Sequence, residues 1–110
     1  MSPPLARDDP DWAELIKLAR EGFEWTARAE EQRSTELHIA KRGAAEQFLI
    51  EYLAARSPVN RTKWGKKDIY PGQVNYEIRA DFEGQKVYIK FCIAQRRRSP
   101  ALLITSFKRA

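Results

Sequence analysis

The chain has 110 residues and a mass of 12.8 kDa, which is enough for one hydrophobic core and too little for two. Hydrophobic residues make up 43% and charged residues 32%, a balance that excludes disorder throughout. The net charge is +5, and residues 56–110 hold thirteen Lys and Arg against four Asp and Glu. This imbalance favours a polyanionic partner.

The sequence contains one cysteine, Cys92, and one histidine, His38. A single cysteine cannot form an internal disulfide, which suits a reducing compartment. No apolar run approaches the roughly 20 residues of a membrane helix, and the N-terminus does not begin like a signal segment. We therefore expect a cytoplasmic protein with no membrane contact. One Cys and one His also argue against a zinc site, so neither a metal nor a cofactor is expected.

The N-terminal half favours helices. Residues 1–10 contain three prolines and predict a flexible arm, followed by a single domain over residues 11–110. Asp11 and Glu14 have the spacing of a capping box, and apolar residues then recur at helical spacing until Gly22, which predicts a first helix over about 11–21.

Two further helices follow in the sequence. Thr26 can cap the second, which reaches the region between Leu37 and Arg42. The third begins after Gly43 and stops before Ser57 and Pro58.

Residues 59–72 show no sustained period and predict a long basic loop, with Lys63, Trp64, Lys66 and Lys67 as candidate RNA contacts. Loops of this length usually bind something. Trp64 could stack on a base or could anchor the loop to the core.

After residue 73 the apolar residues recur at every second position instead of at helical spacing. Residues 74–82 and 86–93 predict two half-buried strands joined by a turn at Glu83 and Gly84, and residues 101–107 predict a third strand that is central or covered on both faces. The expected fold class is α+β: three N-terminal helices packed on a C-terminal three-stranded antiparallel β-meander.

The predicted turn fixes a register. It places Arg79 opposite Tyr88 and Glu77 opposite Lys90 on a polar face, and apolar pairs on the other face. Such a face is often merely solvated and held by weak ion pairs. Lys, Arg, Tyr and Glu are also the groups that could hold a phosphate and transfer protons during RNA cleavage without a metal.

Two candidates lie outside this face. His38 is the usual residue for acid–base chemistry, although a single histidine in a polar helix is more often simply exposed. Arg96, Arg97 and Arg98 lie between two strands and could contact phosphates or only solvent.

Two stretches, residues 85–91 (QKVYIKF) and residues 102–108 (LLITSFK), resemble the C-terminal strands of MqsR-type toxins, messenger-RNA endoribonucleases of toxin–antitoxin pairs. Residues 15–22 (LIKLAREG) are similar to that family's first helix. The resemblance implies the fold of the barnase-like and RelE-like ribonuclease superfamily, within which a RelE-like or colicin-type member is the near alternative. It also implies an antitoxin protein as partner.

The resemblance implies catalytic or phosphate-binding roles for Tyr88, Lys108 and a loop lysine, which is Lys63 by spacing, with Lys66 and Lys67 as alternatives. The family's glutamine upstream of the Tyr strand is not found in residues 74–79, so its role would pass to Asn75, Glu77 or Arg79 or be absent. The insertion at residues 96–100 is longer than the family would lead us to expect.

The sequence therefore predicts a metal-independent endoribonuclease toxin that cleaves messenger RNA through the 2′-hydroxyl. Lys63, Arg79 and Lys108 would hold the phosphate, while Tyr88 or a lysine moves protons. A non-catalytic RNA-binding or regulatory module that uses the same basic face is the alternative. A third possibility is a protein that binds the acidic, nucleic-acid-mimicking surface of another protein.

Overall fold

The computed structural model describes residues 4–39, 41–62, 74–95 and 99–110. Three helices, α1 (Asp11–Glu21), α2 (Ala27–Glu31) and α3 (Arg42–Ala54), belong to the N-terminal half. The strands are β1 (Phe23–Trp25), β2 (Asn60–Thr62), β3 (Asn75–Phe82), β4 (Gln85–Ala94) and β5 (Ala101–Arg109). None of the helices in these ranges combines the length and the apolarity needed to cross a lipid bilayer.

The sheet differs from the predicted one. Its five strands lie in the order β1-β5-β4-β3-β2, and β1 runs parallel to β5 while the other neighbours are antiparallel. The prediction of a three-stranded antiparallel meander was therefore wrong. Each added strand has only three residues, too short for an alternating pattern, and Asn60–Thr62 lies within the segment predicted to be a loop.

Strands β3 and β4 pair in the predicted register. Arg79 is opposite Tyr88, Glu77 is opposite Lys90, and Ile78 is opposite Ile89. The turn between the strands has positive φ at both Glu83 (51°) and Gly84 (78°), as a type I′ hairpin turn requires. The third strand was predicted to be central or covered on both faces. Strand β5 is an interior strand, because it lies between β1 and β4, and it buries Leu102, Leu103 and Ile104 in succession.

The helices begin and end for local reasons. The Asp9 carboxylate accepts the Asp11 N–H at 2.9 Å at the start of α1, so the capping box predicted at Asp11 was wrong. Thr26 caps α2 as predicted and accepts the Ala29 N–H at 3.1 Å. A π-helical turn, Gln32–Glu36, continues α2 and ends just before the predicted limit at Leu37.

The core lies between the helices and one face of the sheet. Helix α1 packs on α3 and β5, and α2 packs on β5. The buried side chains come from both layers: Trp12, Leu15, Leu49 and Leu53 from the helices, and Ile78, Ile89, Phe91, Ile104 and Phe107 from the strands. Alternation along the strands therefore turns Glu77, Arg79, Tyr88 and Lys108 to the other face.

The N-terminal segment, residues 4–6, contacts the region of β2 and helix α1. Pro4 forms an antiparallel bridge with Asn60, and the Leu5 N–H donates to the Val59 carbonyl oxygen at 2.8 Å. The Trp12 indole N–H donates to the Ala6 carbonyl oxygen at 2.8 Å. The flexibility predicted for residues 1–10 stays a prediction, but these contacts join residues 4–6 to β2 and α1.

Candidate functional site

The candidate site is a row of three side chains on the sheet face turned away from the helices, here called the open face. Arg79 on β3 is opposite Tyr88 on β4, and Tyr88 is opposite Lys108 on β5. The Arg79 guanidinium carbon lies 4.8 Å from the centroid of the Tyr88 ring, and the Lys108 ammonium nitrogen lies 5.5 Å from it. Two cations thus flank one phenol, an arrangement suited to holding an anion beside it.

A carboxylate contacts the same phenol from the next row. The Tyr88 hydroxyl donates a hydrogen bond to Glu77 Oε2. Glu77 is itself opposite Lys90, which is opposite Ser106 across the next strand boundary. The Tyr88 oxygen therefore contacts a proton-accepting carboxylate, while two cationic side chains lie near its ring.

An open cavity of about 400 Å³ lies over this row, lined by Arg79, Tyr88, Lys108, Arg109 and Ala110. Tyr88 and Lys108 are half-buried and Arg79 is exposed, so a ligand can reach their polar atoms from solvent. A volume of this size fits a phosphate with part of a ribose. The cavity is polar and open, unlike the mostly apolar pockets that enclose small metabolites.

The predicted site residues fall into three groups. Arg79, Tyr88 and Lys108 are brought together, with Glu77 hydrogen-bonded to Tyr88 and Lys90 in the next row. His38 is exposed in a loop after the π-helical turn, with φ of 56°, and no contact among the described residues joins it to Tyr88. The remaining candidates lie outside the described residues: Lys63, Trp64, Lys66, Lys67, Arg96, Arg97 and Arg98.

The sequence reasoning missed Lys86 and left Arg109 unassigned. Lys86 is opposite Asp81, on the same face as Tyr88 and two residues before it. The alternation that identified Tyr88 and Lys90 could also have identified Lys86. Arg109 lines the cavity beside Lys108.

A second polar cluster lies on the helix side of the sheet and does not join the site. The Tyr76 hydroxyl and Arg61 both donate to Asp11 Oδ2 at 2.9 Å, and Arg61 also reaches Asp9 at 3.3 Å. Burial, together with the hydrogen bond to Asp11, raises the pKa of Tyr76 well above its usual range. These contacts attach α1 and the segment before it to β2 and β3, which is a structural role.

Comparison with known proteins adds no assignment: no family model, curated protein or solved structure matches this chain.

Proposed function

We propose that this protein is an endoribonuclease that cleaves RNA by attack of the 2′-hydroxyl on the neighbouring phosphate, without a metal ion. The observation that carries the proposal is the hydrogen bond from Tyr88 to Glu77 between the cations Arg79 and Lys108 on one open sheet face. The proposal rests on these side chains and on the register that brings them together, since function is decided by the site and not by the fold class.

The Tyr88 and Glu77 pair supplies the proton acceptor. As the 2′-oxygen bonds to phosphorus, its proton passes to the Tyr88 oxygen while the Tyr88 proton passes to Glu77 Oε2. The existing hydrogen bond already has the direction that this transfer needs. Positioned acid–base catalysis of this kind contributes roughly 10²- to 10⁴-fold in rate.

The cations act on the phosphate and the leaving group. Arg79 can hold two phosphate oxygens with its planar guanidinium as negative charge builds on them. Lys108, on the opposite side of the Tyr88 ring, donates a proton to the departing 5′-oxygen as its bond to phosphorus breaks. The products are a 2′,3′-cyclic phosphate and a 5′-hydroxyl, and exchange with water restores both protonation states.

The charge distribution supports RNA as the substrate. The chain carries +5 overall, and β4 alone presents Lys86 and Lys90 on the face that holds the site. Phosphate contacts supply most of the affinity of proteins for nucleic acids. The antitoxin partner and the toxin role stay predictions, because the described contacts contain nothing specific to a protein partner.

Incubation of the purified protein with a defined RNA and a chelator, with and without ribosomes, tests the proposal. We expect fragments that end in a 2′,3′-cyclic phosphate, identified by mass spectrometry. Tyr88→Phe should abolish them, whereas Tyr52→Phe, which removes the same atom from α3, should not. Lys108→Ala should also lose cleavage, with the exposed Lys17→Ala on α1 as its control.

Intact RNA under both conditions would overturn the endoribonuclease and leave an RNA-binding module, which has affinity but no cleavage. Cleavage that persists in Tyr88→Phe would come from a contaminating nuclease or from another site, and would equally overturn the proposal.

A further inference from the structure

We infer that Lys86 forms a second phosphate site, which binds the phosphate on the 3′ side of the one that is cleaved. This inference rests on the proposed function for the position of the cleaved phosphate. It adds a residue outside the set predicted from the sequence, and it gives the direction in which the RNA lies on the sheet.

The first observation is the register of the open face. On the open face, the next pair after Arg79 and Tyr88 is Asp81 and Lys86. The Ala110 N–H, one residue beyond β5, donates to the Lys86 carbonyl oxygen at 2.9 Å. Two residues along a strand correspond to about 7 Å. One nucleotide of an RNA backbone spans a comparable distance, so adjacent phosphates can meet adjacent rows.

The second observation is a cavity over the Lys86 row. Its volume is about 330 Å³, and its lining includes Arg79, Asp81, Lys86 and Ala110. Arg79 and Ala110 also line the cavity over Tyr88, so the two depressions adjoin. A chain bound at Tyr88 can therefore extend toward Lys86.

The third observation is that the Lys86 side chain is accessible to a ligand. Lys86 is exposed, and within the described ranges it forms no salt bridge with Asp81 or any other carboxylate. Its ammonium group can therefore bind a phosphate without first breaking an ion pair. Asp81 keeps the row close to neutral overall, so the attraction depends on direct contact with the lysine.

The direction follows from the chemistry of the proposed reaction. Glu77 and Lys86 lie on opposite sides of Tyr88 along the strands. In-line displacement puts the attacking 2′-oxygen and the departing 5′-oxygen on opposite sides of phosphorus. Since the 2′-oxygen lies toward Glu77, the 5′-oxygen that Lys108 protonates lies on the side of phosphorus away from Glu77, and the phosphate beyond it lies toward Lys86.

The test uses dinucleotides that differ by one phosphate. The probes are XpY, XpYp with an added 3′-phosphate, and pXpY with an added 5′-phosphate, each as a mixture of all base sequences. A parallel set with 2′-deoxyribose at X cannot be cleaved and reports binding alone, through Kd from NMR titration. The proteins are the wild type, Lys86→Ala, Lys86→Arg and the control Lys17→Ala.

We expect the 3′-phosphate to tighten binding roughly 3- to 10-fold at low salt and to raise kcat/KM in proportion. Lys86→Ala should lose this gain, whereas Lys86→Arg and Lys17→Ala should keep it. The 5′-phosphate should tighten binding less, and this smaller effect should be the same in the wild type and in Lys86→Ala. A 3′-phosphate gain that survives in Lys86→Ala, or a gain found only with the 5′-phosphate, would overturn the inference.

The two proposals fail separately. If the deoxy probes show the Lys86-dependent gain and no ribose probe or longer RNA is cleaved, Lys86 is a phosphate site and the endoribonuclease is wrong. If RNA is cleaved and the added 3′-phosphate changes neither Kd nor kcat/KM, the endoribonuclease stands and the Lys86 site is wrong.

Discussion

The Tyr88 hydroxyl donates its hydrogen bond to Glu77 diagonally across β3 and β4, since Tyr88 is directly opposite Arg79 and Glu77 is directly opposite Lys90. Diagonal neighbours of an antiparallel pair are within reach only of long side chains. The bond therefore links two successive rows of the open face and fixes the direction of the phenol. A shift of one residue in the register would separate the two groups.

Glu77→Gln should slow RNA cleavage by roughly 10²- to 10⁴-fold. The glutamine amide oxygen can still accept the Tyr88 hydrogen bond, so the geometry is kept, but an amide does not take up the proton. Single-turnover cleavage of a defined RNA gives the rate, and a 2′-deoxy analogue gives the affinity, which should be unchanged or slightly higher.

The exposed Glu51→Gln on α3 makes the same change of charge on another element and should cleave at the wild-type rate. If Glu77→Gln cleaves as fast as this control, Glu77 is not the proton acceptor.

Stability should fall at alkaline pH in a manner that depends on Tyr76. Burial, with the hydrogen bond to Asp11, raises the pKa of Tyr76 in the folded protein, whereas the unfolded chain loses the phenol proton near pH ~10. Above that pH the unfolded state binds fewer protons than the native state, so the free energy of unfolding decreases as pH rises, by up to about 1.4 kcal/mol per pH unit.

Tyr76→Phe lacks this titration. It should be about 1 kcal/mol less stable than the wild type at neutral pH, because it loses a hydrogen bond, and the difference should shrink above pH ~10. Urea denaturation across this range measures both curves, and the lysines titrate alike in the two proteins. Curves that stay parallel would contradict the raised pKa.

The hairpin turn offers a test of backbone strain. Glu83 adopts φ of 51° without being a glycine, and asparagine tolerates this conformation better. Glu83→Asn should therefore raise the free energy of unfolding by about 0.5 kcal/mol. Gly84→Ala should lower it by roughly 1 to 2 kcal/mol, although the added Cβ would meet no atom within 4 Å, because φ at Gly84 is 78°.

Thermal or urea unfolding of both variants measures these changes. Equal stability of Gly84→Ala and the wild type would show that the turn can relax without cost. Because both residues are exposed, the two substitutions change the backbone energy of the turn without changing the packing of the core.

Much of the candidate site could be predicted because it depends on local rules. The turn at Glu83 and Gly84, together with alternation along two strands, was sufficient to pair Arg79 with Tyr88 and Glu77 with Lys90. The hydrogen bond between Tyr88 and Glu77 could not be predicted, because it depends on side-chain rotamers. The row that includes Lys86 was available from the same alternation.

The sequence by itself determined the three helices and the register of β3 with β4, since periodicity and turn chemistry act between residues close in the chain. Only the tertiary structure decided that Phe23–Trp25 pairs with β5 and Asn60–Thr62 with β3. Strands of three residues carry too little pattern to specify a partner, and packing against the rest of the sheet selects it.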